Sequence, residues 1–243
     1  MSTPSSENLN GIYRRLFRRF GPQHWWPGRT PFEIIVGAVL MQNTNWNNVE
    51  KAIANLRRER ALTPRALKEM SLLKLSALIR PAGYFNVKAR RLKNFIRFLF
   101  EEYGGSLARM AKEPLAVLRP KLLSVNGIGP ETADSILLYA FNKPVFVIDA
   151  YTKRFLYRHN FAGHDADYHA LQDVFTRALP TDRRLFNEYH ALIVRLGKEF
   201  CKPRPSCESC PLKDYHYSLN ARCPSCYRAG KSLRPDSLCQ DCS

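Results

Sequence analysis

The chain has 243 residues, 45% of them hydrophobic, with 38 Lys and Arg against 21 Asp and Glu for a formal charge of +17. That length and apolar content fill one large core or two smaller ones, which excludes a disordered chain. No run of eighteen apolar residues occurs and the start, MSTPSSENLNG, lacks the apolar stretch of a leader, so a cytosolic protein without membrane attachment is expected, with a polyanion as partner.

Nucleic acid fits that charge better than a membrane surface, because the basic residues are spread through helical segments such as NVKARRLKNFIRFLF instead of gathered in one anchor. In chain order, apolar spacing predicts helices over 8–20, 31–42, 45–57, 63–70, 72–79, 86–102, 114–124, 130–141, 148–159, 167–178 and 183–199. Thr30 before Pro31 and Thr63 before Pro64 read as N-caps followed by first-turn prolines. VFVID (145–149) is the one strand-like run, and it fits a buried helix entry equally well. The expected class is all-α, with no internal repeat at a solenoid period.

Four stretches stand out as candidates for chemistry. GPQHWWPGRTPF (21–32) puts Trp25 and Trp26 in a loop, either as core plugs or as a flat aromatic surface. MQNTNW (41–46) places the polar Gln42 and Asn43 at the end of an apolar helix. LLSVNGIGPETADSILLYAF (122–141) reads as helix, Gly-x-Gly turn, helix. There Gly127, Ile128 and Gly129 let backbone amides approach a phosphate, and the following helix start, with Glu131 and Thr132, adds its partial positive charge. Asp149 then stands at the mouth of the next helix, as a plain N-cap or as a catalytic carboxylate.

After Phe200 the composition shifts, and all seven cysteines fall between 201 and 242. So little apolar content needs a staple, and in a reducing compartment the staple is a metal. Cys223, Cys226, Cys239 and Cys242 have the spacing of a zinc ribbon, although Cys207, Cys210, Cys223 and Cys226 share it. The preferred division is zinc on the last four, with Cys201, Cys207 and Cys210 holding a cluster or second metal.

VNGIGPETADSILLYAF followed by VFVIDAYTKRF resembles the helix-hairpin-helix, Gly/Pro-rich, aspartate signature of the endonuclease III superfamily of DNA glycosylases. PFEIIVGAVLMQNTNWNNVEKAI, GYFNVKARRLKNF and YHALIVRLGKEFC agree with it in the same order, so the likeness covers residues 10 to 210. It implies base-excision repair on double-stranded DNA, by a monomer with two helical lobes and the active cleft between them. One lobe is a helical barrel at 30–142 carrying the hairpin, the other is formed by 1–29 with 143–200, and a Cys-rich metal-binding tail spans 201–243. It implies Asp149 as the catalytic group and Gln42 as the wedge filling the gap left by an extruded base. The lysine with which bifunctional members attack C1′ is replaced by Glu131, so a glycosylase without lyase activity is expected. Trp25, Trp26, Pro27 and Trp46 resemble the base pocket of the 3-methyladenine branch, with Lys198 placed beside them. Indole faces suit a cationic alkylated purine, which is already a good leaving group. The likeness also implies a 4Fe-4S cluster on Cys201, Cys207 and Cys210, with His216 or Cys223 as fourth ligand. The competing readings are an endonuclease III-like glycosylase/lyase for damaged pyrimidines and a noncatalytic DNA-binding relative.

Overall fold

The computed structural model describes residues 6–26 and 28–213. Among them there are helices and connecting turns and no strand, as an all-α chain requires: α1 (Ser6–Phe20), α2 (Pro31–Met41), α3 (Trp46–Arg58), α4 (Pro64–Glu69), α5 (Leu72–Leu78), α6 (Phe85–Tyr103), α7 (Leu107–Lys112), α8 (Leu115–Leu123), α9 (Pro130–Ser135), α10 (Ala150–Arg158), α11 (Tyr168–Thr176) and α12 (Arg183–Glu199). No helix among the described residues is long and apolar enough to cross a membrane. The chain divides into two compact units, one of residues 26–145 and the other of 1–25 with 146–243.

In the 26–145 unit, α2 is the core. Thr30 caps it by accepting from Glu33 N, Pro31 supplies the first-turn φ, and Phe32, Ile35, Val36, Val39 and Leu40 are all buried. A helix apolar on every face must be surrounded, and α3, α6 and α9 pack around it. Lys88 of α6 is buried in this core. Its ammonium donates to Leu40 O (2.8 Å) and Ala82 O (2.7 Å), satisfying a carbonyl that the end of α2 leaves open. Burial, helped by the neighbouring Arg91 charge, pushes this ammonium down to about 8.

In the other unit, α12 is the long central helix, and α1 and α10 pack on it. Phe146 stacks on Phe175 with ring centroids 3.8 Å apart, and Tyr189 of α12 meets both edge-on while its hydroxyl donates to Leu9 O at 2.9 Å. Gly197 lets α10 approach: a Cβ there would lie 2.3 Å from Tyr151 Cδ1.

Three details differ from the sequence expectation. The helix read as 130–141 is α9 followed by a wider π turn at Ile136–Ala140, where all five residues are buried and the apolar spacing does not mark the change of winding. The run at 146–148 is buried and is neither helix nor strand, and side chains replace the sheet: Gln172 Nε2 donates to Phe146 O at 2.6 Å and Ile148 N donates to Tyr168 OH at 3.2 Å. Helix α7 and a short 3₁₀ turn at Arg80–Ala82 were not anticipated; α7, as short as α4, lacks the first-turn proline that marks α4.

Candidate active site

Asp149 is the N-cap of α10. Its Oδ1 accepts from Thr152 N at 2.8 Å, so the plain capping role is real. The second oxygen does something else: Oδ2 faces His190 Nε2 of α12 at 3.6 Å, and the side chain retains 16% exposure. Burial is the largest single influence on this carboxyl and pushes its pKa up. The facing His190, together with donation from Thr152, outweighs it and holds the group below the usual carboxylate range. An ionised, partly exposed carboxylate at a helix start is thus built into this unit.

Trp25 belongs to the same unit, and Lys198 of α12 places its ammonium 5.6 Å from the indole centroid. Trp26 and Trp46 belong to the 26–145 unit. Their rings meet edge to face at 5.5 Å and 88°, and Tyr139 of the π turn packs against Trp26 at 5.0 Å. The indole of Trp26 lies over Gly37, whose added Cβ would sit 3.5 Å from Nε1, so the glycine inside α2 marks where the ring rests. Pro27 lies outside the described residues.

The hairpin follows α8. Gly127 takes φ +93°, Ile128 is buried and anchors the turn by donating N–H to Val125 O at 3.0 Å, and Gly129 is the N-cap of α9 without any side chain to cover its first turn. Glu131 is exposed in that turn and Thr132 is buried. Gln42 is the C-cap of α2 and Asn43 turns the chain with φ +52°, a left-handed conformation that Asn tolerates, before Asn45 caps α3 by accepting from Asn48 N at 3.1 Å. The Gln42 amide nitrogen donates to Gly127 O (3.1 Å) and Thr132 Oγ1 (2.9 Å), and its oxygen accepts from Arg91 Nη1. Gln42, Thr132 and Gly127 therefore form one hydrogen-bonded group.

Sequence reasoning missed four participants. His190 and Tyr139 sit on helices whose apolar spacing reads only as core. Arg91 is one basic residue among several in α6. Tyr84 is 71% exposed with φ +45° at the start of α6, and an exposed aromatic on a strained backbone marks a functional candidate. Lys88, with its depressed ammonium, invites reading as a nucleophile; buried and committed to two carbonyls, it is a structural group instead.

Among the described cysteines, Cys201 and Cys210 are buried and Cys207 is exposed. Burial, and the nearby Cys201 and Cys207, push the Cys210 thiol up to about 11. The buried Arg158 donates to Cys201 Sγ at 3.2 Å and to Lys202 O and Pro203 O, while Arg154 Nε donates to Cys201 O at 2.6 Å. Among the described residues, however, no three Cys, His, Asp or Glu side chains converge to hold a metal ion. Cys201, Cys207 and Cys210 alone do not make a site, and His216, Cys223, Cys226, Cys239 and Cys242 lie outside the described residues.

Residues 36–180, more than half of the chain, match the model of the HhH-GPD superfamily base excision DNA repair proteins. MJ1434 of Methanocaldococcus jannaschii, assigned as a DNA repair glycosylase, is 46% identical over 211 residues, covering 86% of this chain and 96% of that one. Endonuclease III of Thermotoga maritima is 30% identical over 208 residues, covering 85% and 91%. Among solved structures, the H. pylori 3-methyladenine DNA glycosylase MagIII bound to 1,N6-ethenoadenine superposes with a TM-score of 0.71 at 28% identity, covering 81% of this chain and 98% of that one. A trapped endonuclease III–DNA covalent intermediate superposes with a TM-score of 0.76 at 22% identity, covering 94% and 100%, a likeness of fold. The capped carboxylate and the glycine hairpin thus sit in a fold used to act on DNA, and the chain belongs to the helix-hairpin-helix GPD superfamily of base excision DNA repair proteins as a DNA glycosylase.

Proposed function

We propose that the protein is a monofunctional glycosylase that extrudes alkylated, cationic purines such as 3-methyladenine from duplex DNA and hydrolyses the N-glycosidic bond. The observation that carries the chemistry is Asp149, kept ionised by His190 and Thr152 while its side chain stays partly exposed. Departure of the base builds positive charge on C1′ and the ring oxygen. A fixed carboxylate stabilises that charge and orients the attacking water.

The paired indoles of Trp26 and Trp46 support the cationic specificity, since each desolvated cation–π contact is worth roughly 0.5 to 2 kcal/mol. The Lys198 ammonium already occupies a face of Trp25, so the base charge is assigned to the Trp26–Trp46 pair and Lys198 to contact with the surrounding DNA anion. The hairpin amides of Gly127 and Gly129, in the turn that Ile128 anchors, receive a backbone phosphate beside Thr132, and Gln42 and Asn43 meet the duplex. Glu131 offers no amine for a Schiff base, which supports hydrolysis over lyase chemistry.

A second reading, a glycosylase/lyase for damaged pyrimidines, is favoured by the identity to the T. maritima endonuclease III. Incubation with dimethyl sulfate-treated DNA and with duplexes bearing oxidised pyrimidines separates the two. Release of methylated purine without a borohydride-trapped adduct is the expected result; a trapped adduct on an oxidised pyrimidine is the result of the second reading. We further propose a 4Fe-4S cluster on Cys201, Cys207 and Cys210 with a fourth ligand from His216 or Cys223, and zinc on Cys223, Cys226, Cys239 and Cys242. Such a cluster would supply structural closure of the segment after α12, and metal analysis of the purified protein tests both ions.

A further inference from the structure

Gln42 is not poised to enter a duplex. Both ends of its amide are engaged with its own unit: the nitrogen with Gly127 O and Thr132 Oγ1, the oxygen with Arg91 Nη1. It fills a vacated base stack only after giving those bonds up. Arg91 is placed to control that step. Its stem crosses Gly127 so closely that an added Cβ there would lie 2.3 Å from Arg91 Cγ. Among the described residues the one hydrogen bond of its guanidinium goes to Gln42, although the group carries five N–H donors. The side chain also lines an open groove of about 650 Å³ with Arg90, Asn94, Asn126 and Gly127, and no Asp or Glu is among the lining residues.

We propose that Arg91 is a positioning residue that couples phosphate binding at the hairpin to entry of Gln42 into the duplex, a step that rests on the wedge role proposed for Gln42. Without DNA, Arg91 holds the glutamine folded against the hairpin. A phosphodiester oxygen arriving beside Gly127 is a stronger acceptor for a guanidinium than a neutral amide oxygen, because both partners are then ionised. Arg91 turns to the phosphate, the amide oxygen of Gln42 loses its partner, and the side chain leaves for the stack. If Arg91 merely braces the end of α2, removing it loosens the site and slows entry; as a hold, its removal speeds entry.

Stopped-flow fluorescence on a duplex with 2-aminopurine beside a tetrahydrofuran abasic analogue separates these outcomes, and its readout does not depend on which lesion the enzyme prefers. Arg91→Met keeps the stem over Gly127 and deletes every donor; Arg91→Lys keeps the charge. The Met variant is expected to lower the slope of log affinity against log salt by about one and to speed the entry phase about tenfold at saturating protein. Arg91→Lys is expected to restore the salt slope. Unchanged salt dependence in Arg91→Met, or slower entry, overturns the coupling. Gln42→Ala reports separately: loss of the entry phase there, beside an Arg91→Met protein that behaves as wild type, keeps the wedge and removes the coupling. A full entry phase in Gln42→Ala removes the wedge and the coupling with it.

Discussion

A single carboxylate here serves two masters, capping α10 with one oxygen and facing His190 with the other. The two jobs separate by substitution. Asparagine caps a helix about as well as aspartate, so Asp149→Asn is expected to melt close to wild type while single-turnover base release falls by at least about a hundredfold. A variant that melts normally and releases base at the wild-type rate would remove the Asp149 carboxylate from the chemistry. The pH profile carries a second test. Because Asp149 titrates below its ordinary value, near 3.9 in an unfolded chain, its ionised form persists into acid, and the acid limb of kcat/KM should lie below that value. His190→Gln removes the main charge that lowers it and should move that limb upward; no movement would remove His190 from the pair. The stability that Asp149 contributes has the same sign, present above the unfolded value and lost as pH falls through the folded one. Asp149 was legible in the sequence because it stands at a fixed place in a motif. His190 was not, since a contact between two distant helices leaves no local spacing to read.

At the level of elements, the hairpin is the most exacting segment. Gly127 combines φ +93° with a close approach by Arg91, so Gly127→Ala incurs both backbone strain and a clash. A loss of about 1 to 3 kcal/mol in chemical denaturation is expected, with weaker binding to undamaged duplex; an alanine variant as stable as wild type would contradict the strained geometry. Gly-Ile-Gly was readable from sequence because the left-handed turn at Gly127 needs a glycine and Gly129 leaves the first turn of α9 without a side chain over it. The π turn after it was not readable, and neither was the use of Tyr139, because Ile136, Leu137 and Ala140 keep an apolar stripe whichever way the helix is wound. The aromatic loop was half readable: two adjacent tryptophans announce a surface, but not that Trp25 falls to one unit and Trp26 to the other.

Across the whole molecule, charge sets two expectations. The excess of cations makes DNA binding fall steeply with salt. It also repels itself, and Lys88 adds to that cost at neutral pH. Its ammonium is depressed from 10.5 to about 8 in the folded chain, so its favourable contribution is complete above the unfolded value and is lost as pH falls through about 8. The thermal midpoint should therefore rise between pH 8 and 10, and Lys88→Met should flatten that rise in a series of melts; an equal slope in the variant would assign the effect to surface lysines. The all-α class was visible in the sequence because helical periodicity repeats along most of its length, whereas the grouping of metal ligands was not, since cysteine spacing permits more than one pairing. The wide turn at Ile136–Ala140, where Phe141 N reaches back to Ile136 O, adds one residue to the helical count. Excising one residue from it would let the segment wind as ordinary α-helix and advance every later residue by about a hundred degrees. Tyr139 would swing off Trp26. The spare residue thus acts as a phase adjustment: a one-residue deletion should damage base recognition well before it unfolds anything.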